Sequence, residues 1–159
     1  MPSRLTTVLS GVAGEYFVAA ELSRRGYVAS ITLRNTRGID ILASNEDATR
    51  SVGIQVKTRQ NDGCEWVLNK KAEDLPVGDA PENLFYVFVA LNQFAPPSYY
   101  VVPRAVVANF VRTSHAAWLA TPGLRGQAHV DNAMRKFIDA TGKYRDAWHL
   151  LGLDAPAAQ

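Results

Sequence analysis

Two short apolar runs of this chain each carry polar residues where a buried strand would not be expected to hold them. Asp40 interrupts Gly38-Ile-Asp-Ile-Leu-Ala43, and Gln55 and Lys57 interrupt Val52-Gly-Ile-Gln-Val-Lys57. Burying a carboxylate or an ammonium among apolar neighbours is costly unless a partner or a metal compensates it. Side chains alternate along a strand, so Asp40 and Leu42 share one face while Ile39, Ile41 and Ala43 share the other. In the second run Gln55 and Lys57 oppose Ile54 and Val56 by the same parity. If the two runs pair as antiparallel neighbours with their apolar faces matched, an acid, an amide and an ammonium converge on one patch.

Such a patch suits hydrolysis of a phosphodiester. The phosphate repels an anionic nucleophile unless a divalent cation bridges them, and Asp40 supplies the hard oxygen ligand that Mg²⁺ (or Mn²⁺) takes. Gln55 adds a neutral carbonyl oxygen and the Val56 main chain another. Lys57 can position the attacking water or neutralise charge that builds in the transition state. Glu15, on a helical stripe with Val18, Ala19 and Leu22, would reach the metal directly or through water if its helix packs on the sheet. Taken singly, each residue has a blander explanation. An aspartate in a strand is usually an edge residue, a strand lysine usually points to water, and a helix glutamate is usually solvated. Their joint pattern separates the two explanations.

The stretch from Gly14 to Thr58 resembles the PD-(D/E)xK nuclease superfamily, which includes Holliday-junction resolvases and many restriction endonucleases. The resemblance rests on Gly14-Glu15 and Leu22 to Gly26-Tyr27, then Gly38-Ile-Asp40, then Ile54-Gln-Val-Lys-Thr58. It implies that Glu15 is the helix acid, Asp40 the main metal ligand and Lys57 the motif lysine. Gln55 takes the place of the second acid, as in the Gln-x-Lys form of Mrr-like restriction enzymes, and Ile39 replaces the usual proline. The metal ligands implied are Asp40, Gln55 and Glu15. The activity implied is Mg²⁺-dependent endonucleolytic cleavage of DNA. The alternative is a catalytically inactive relative that binds nucleic acid or a protein partner through the same fold. A module of a defence or mobile-element system that depends on a separate subunit is not distinguished from the first reading.

The elements that must position these residues are legible in outline. Val8 to Arg25 reads as a helix, with Leu5 as an alternative start and Gly26 at its C-terminal stop. Strands are expected at Tyr27 to Leu33, Gly38 to Ser44, Val52 to Thr58, Glu65 to Leu68, Leu84 to Leu91 and Ser98 to Val102. Arg34 to Gly38 and Pro76 to Pro81 read as loops, and Lys70 and Lys71 as a helical turn. Pro103 opens a helix to about Arg112, followed by helical pieces near Ala116, from Asn132 to Ala140 and from Tyr144 to Leu151. The expected fold is mixed α/β (α+β): a restriction-endonuclease-like core with a central sheet of about five strands flanked by helices, plus extra C-terminal helices. One domain over 1–152 and a flexible tail over 153–159 are expected.

Composition bounds the partners. The chain has 159 residues, 47% hydrophobic and 20% charged, a net charge of +2 and a pI near 8.8. That balance suits a polyanionic partner without demanding one. Arg34, Arg37, Arg59, Lys70 and Lys71 flank the patch and are candidate phosphate contacts, with solvated surface charge as the bland alternative. Trp66, Trp118 and Trp148 read as core or interface aromatics more readily than as base-stacking platforms. His115, His129 and His149 lack zinc-ligand spacing. No phosphate-binding loop signals a nucleotide cofactor. A single cysteine, Cys64, and the absence of a long apolar run point to a cytoplasmic protein with no membrane span. A homodimer is compatible with a task that cuts both strands of a duplex.

Overall fold

The computed structural model describes residues 4–33, 38–75 and 82–154. Helix α1 (Thr7–Arg24) starts where the Thr6 side chain accepts a hydrogen bond from the Leu9 N–H at 3.2 Å. It ends at Gly26, whose φ of +89° suits a residue without a Cβ. There the Tyr27 N–H returns to the Leu22 carbonyl at 3.1 Å and satisfies an orphan acceptor of the last turn.

The strands are β1 (Val28–Ile31), β2 (Ile41–Ser44), β3 (Ser51–Arg59), β4 (Glu65–Asn69), β5 (Leu84–Ala90), β6 (Ser98–Pro103) and β7 (Met134–Ile138). Five of them form a sheet in the order β1-β2-β3-β5-β6, with β3 and β5 parallel and the other neighbours antiparallel. The expected architecture of a mixed five-stranded sheet with flanking helices is therefore present.

Each face of this sheet has its own core. On one face α1 contributes Val18 and Leu22, which pack with Ile41, Ile54, Val56, Val87 and Val101 and with Trp148 and Leu151 from the C-terminal segment. On the other, α2 (Arg104–Ala120) contributes Val107 and Val111. These meet Tyr86, Phe88, Tyr100 and Val102 of the sheet and Trp66, Leu68 and Phe137 of a two-stranded ribbon. Strand β5, inside the sheet, and the edge strand β6 are buried on both faces, which explains their nearly unbroken apolar sequence.

The C-terminal region departs from expectation. Asn132 to Ala140 was expected to be helical, yet Met134–Ile138 is strand β7, antiparallel to β4 with Trp66 opposite Phe137. Arg135 and Phe137 face inward while Met134, Lys136 and Ile138 face out, a period of two. The two helices expected near Pro103 and Ala116 are one continuous α2. Tyr144 to Leu151 forms only a single 3-10 turn, Trp148–Leu151, because Asp146 sits at φ +51° and interrupts the helical path. Extra C-terminal helices are thus absent among the described residues. Leu153 is buried in the first core, so the packed chain extends past the point where a tail was expected to begin. The Pro76 to Pro81 loop, Arg34 and Arg37 lie outside the described residues.

Candidate active site

Strand β2 begins at Ile41, one residue after Asp40, while the neighbouring β3 runs on past that level to Arg59. Ile41 pairs with Ile54, so the same antiparallel register places Asp40 opposite Gln55. The Asp40 N–H donates to the Ile54 carbonyl at 2.8 Å. Its carboxylate Oδ2 then accepts from the Val56 N–H at 2.7 Å. The side chain thus continues the ladder where the backbone of β2 has turned away. This bond fixes the carboxylate at the open edge of β3. Within an extended strand the N–H and C=O of one residue point to the same side, so the Val56 carbonyl points to that edge too.

Gln55 and Lys57 are half-buried on the face opposite Ile54 and Val56, as parity requires. They line a cavity of about 440 Å³ together with Gly38, Asn69, Lys71, Tyr86 and Arg104. Tyr86 stands beside Gln55 in the β3–β5 register. Burial raises the pKa of its phenol, with the Arg104 cation opposing and the Asp40 carboxylate adding to the shift.

Glu15 arrives differently. Helix α1 packs on the face that carries Ile54 and Val56, across the sheet from Gln55 and Lys57. Its neighbour Gly14 lies so close to β3 that a Cβ there would stand 1.9 Å from the Thr58 Oγ1. Glu15 is half-buried beside that contact, at the level where β3 has no β2 partner. Among the described residues, no three His, Cys, Asp or Glu side chains gather in a metal-sized group. An ion here would therefore depend on amide and main-chain oxygens as well as on carboxylates.

The flanking cations divide. Lys71 lines the cavity. Lys70 instead pairs with Asp131 at 3.4 Å, and Arg59 is committed to the carbonyls of Asn61 and Glu65 at 3.0 and 2.8 Å. Arg104, Tyr86 and Asn69 escaped the sequence reading. A cation directly after the helix-opening Pro103 was the signal for Arg104. Of the tryptophans, Trp66 and Trp148 are core residues, whereas Trp118 is 39% exposed and stacks on His129 at 4.1 Å.

A mixed five-stranded sheet with helices on both faces is the architecture of the restriction-endonuclease-like fold, and the chain has this fold. A solved structure with the same fold is that of a bacterial homing endonuclease, I-Ssp6803I, with a TM-score of 0.52, 15% sequence identity and 94% of each chain covered. No family model matches the sequence, and no curated protein matches it. Among the described residues no helix is long and apolar enough to cross a membrane.

Proposed function

We propose that the protein is a divalent-metal-dependent endonuclease acting on DNA. The observation that carries this reading is the Asp40 carboxylate, pinned by the Val56 N–H at the open edge of β3 beside a cavity walled by Gln55, Lys57, Lys71 and Arg104. The donor set is all oxygen: the Asp40 carboxylate, the Gln55 amide and the Val56 carbonyl, with Glu15 of α1 as a further carboxylate that would act through water. Hard oxygens in small number suit Mg²⁺ or Mn²⁺, which keep several waters. When bound, such an ion would polarise the phosphate and supply an activated water.

The chain's own residues do the rest. Asp40 and Gln55 would hold the ion, and the hydrogen bond from the Val56 N–H already restricts the rotation of the Asp40 carboxylate. Lys57 neutralises charge on the phosphoryl oxygens and orients the attacking water. Lys71 holds the polyanion electrostatically, which makes binding salt-dependent. We further propose a cytoplasmic protein that acts as a homodimer when it cuts both strands.

Purified protein incubated with duplex, single-stranded and branched DNA in Mg²⁺ or Mn²⁺ tests the reading. Cleavage that depends on the ion and is abolished by Asp40→Ala and by Lys57→Ala is expected. Cleavage that survives both substitutions would overturn these assignments. Gln55 in place of a second acid supports one other reading, a nuclease-fold protein that binds DNA or a partner without cutting. Intact DNA binding with no measurable Mn²⁺ binding at Asp40 would select it.

A further inference from the structure

Arg104 occupies a position that its own helix does not favour. It is the first residue of α2, whose first turn contains no acid, so its charge sits at the positive end of the helix dipole. It also lines the same cavity as Lys57 and Lys71, so three cations face one space. Among the described residues it has no ion-pair partner, and its buried Nε has no hydrogen-bond acceptor. A buried guanidinium nitrogen without an acceptor is costly. An anion entering the cavity would relieve the lost hydrogen bond, the like-charge repulsion and the dipole mismatch together.

An anion held by Arg104 would lie close to Gly38. The Arg104 Nη1 lies 4.0 Å from the place a Cβ on Gly38 would occupy, so the guanidinium covers the chain two residues ahead of Asp40. Gly38 has no side chain to fill the intervening space, and its φ of +71° favours glycine independently. A planar fork of donors at this point matches the paired non-bridging oxygens of a phosphodiester. Lys71 supplies a second cation from the other wall.

We propose that Arg104 is a substrate-binding residue that holds a backbone phosphate of DNA adjacent to the one presented to Asp40 and Lys57. This inference rests on the nuclease reading for the identity of the polyanion, and it deepens that reading by assigning the neighbouring phosphate.

Anisotropy of a fluorescein-labelled duplex oligonucleotide, titrated with protein in EDTA over a salt series, tests it without cleavage. Arg104→Gln should weaken binding by about tenfold or more. It should also make the slope of log Kd against log salt shallower by about 0.9, the loss of one phosphate contact. Arg104→Lys should restore the salt slope but only part of the affinity, because an ammonium cannot form the fork. The free Arg104→Gln protein should melt no lower than wild type, since the substitution removes repulsion. An unchanged salt slope overturns the inference, as does a fall in melting temperature with DNA binding intact, which would make Arg104 a structural residue.

The two readings fail separately. If wild type cleaves in Mg²⁺ and Arg104→Gln binds and cleaves equally well, the phosphate assignment alone is overturned. If wild type binds through Arg104 as described but never cleaves, the nuclease reading alone is overturned. A wild type that neither binds nor cleaves DNA overturns both.

Discussion

Gly14→Ala should loosen the seam between α1 and β3, although in an isolated helix the same change is stabilising. An added Cβ would stand 1.9 Å from Thr58 Oγ1, 3.0 Å from Thr58 Cβ and 3.1 Å from Thr58 Cγ2. Rotating Thr58 moves Oγ1 but leaves the Cβ contact, so α1 itself has to shift outward. Alanine in place of glycine gains up to about 1 kcal/mol of helix propensity, whereas forcing extra volume into a packed seam costs about 1–3 kcal/mol. The net expectation is a loss of about 1–2 kcal/mol, which for a chain of this length lowers Tm by roughly 2–8 °C. Gly11→Ala on the same helix is the control, because nothing lies within 4 Å of its added Cβ. It should be neutral or stabilise by up to about 1 kcal/mol. Urea denaturation of both variants measures the difference. The double variant Gly14→Ala/Thr58→Gly, in which all three clashing atoms are gone, shows whether the seam is its origin. Equal stability of Gly14→Ala and Gly11→Ala would refute the packing account of α1. So would a double variant that recovers nothing relative to Thr58→Gly alone.

Three other expectations follow from individual contacts. Asp40→Ala leaves the Val56 N–H without its acceptor and should cost about 1 kcal/mol or more in urea denaturation; Asp40→Asn keeps an acceptor and should be nearly as stable as wild type, while both lose plasmid cleavage. Arg135 is 2% exposed and held by Glu73, with further bonds to the carbonyls of Asn132 and Met134. Glu73→Ala leaves this guanidinium only the half-exposed Asp131 at 3.5 Å as an acidic partner and should destabilise by roughly 3 kcal/mol, whereas Arg135→Met should cost much less; comparable losses in the two variants would contradict this. Burial, helped by a hydrogen bond to Asp154, pushes the Tyr27 phenol up to about 12. The folded state then holds a proton that the unfolded state releases near pH 10, so this contribution is complete below pH 10 and is lost as pH rises towards 12. Tyr27→Phe should flatten the fall in stability over that window, and an unchanged profile would refute the assignment.

The placement of the candidate site residues was more legible in the sequence than the C-terminal half of the fold. Asp40, Gln55 and Lys57 are read by the parity of two short strands, which a local pattern determines, and the register Ile41 to Ile54 agrees with it. Glu15 was legible as a helix position but not as a residue on the far face of the sheet, because helix docking depends on Gly14 meeting Thr58 across 44 residues of chain. Strand β7 was misread because its inward positions are Arg135 and Phe137 while Met134 and Ile138 face solvent, so hydrophobicity does not mark its buried face. Its partner β4 lies far upstream, and Arg135 is tolerated inside because Glu73, also far upstream, pairs with it. Arg104 was hidden by a different effect. Its significance comes from Lys57 and Lys71, which the fold and not the local sequence brings to the same cavity.

A crystal structure of the protein soaked in Mn²⁺ tests the central claim most directly, because anomalous scattering locates the ion without reference to any activity. The account predicts one peak at the open edge of β3, about 2.1 Å from an Asp40 carboxylate oxygen, an octahedral oxygen-ligand distance. Gln55 or Val56 oxygens should complete the protein ligands, and Glu15 should lie within reach of a bound water. A peak on other carboxylates with none at Asp40, or no peak at a Mn²⁺ concentration that supports cleavage, would contradict it.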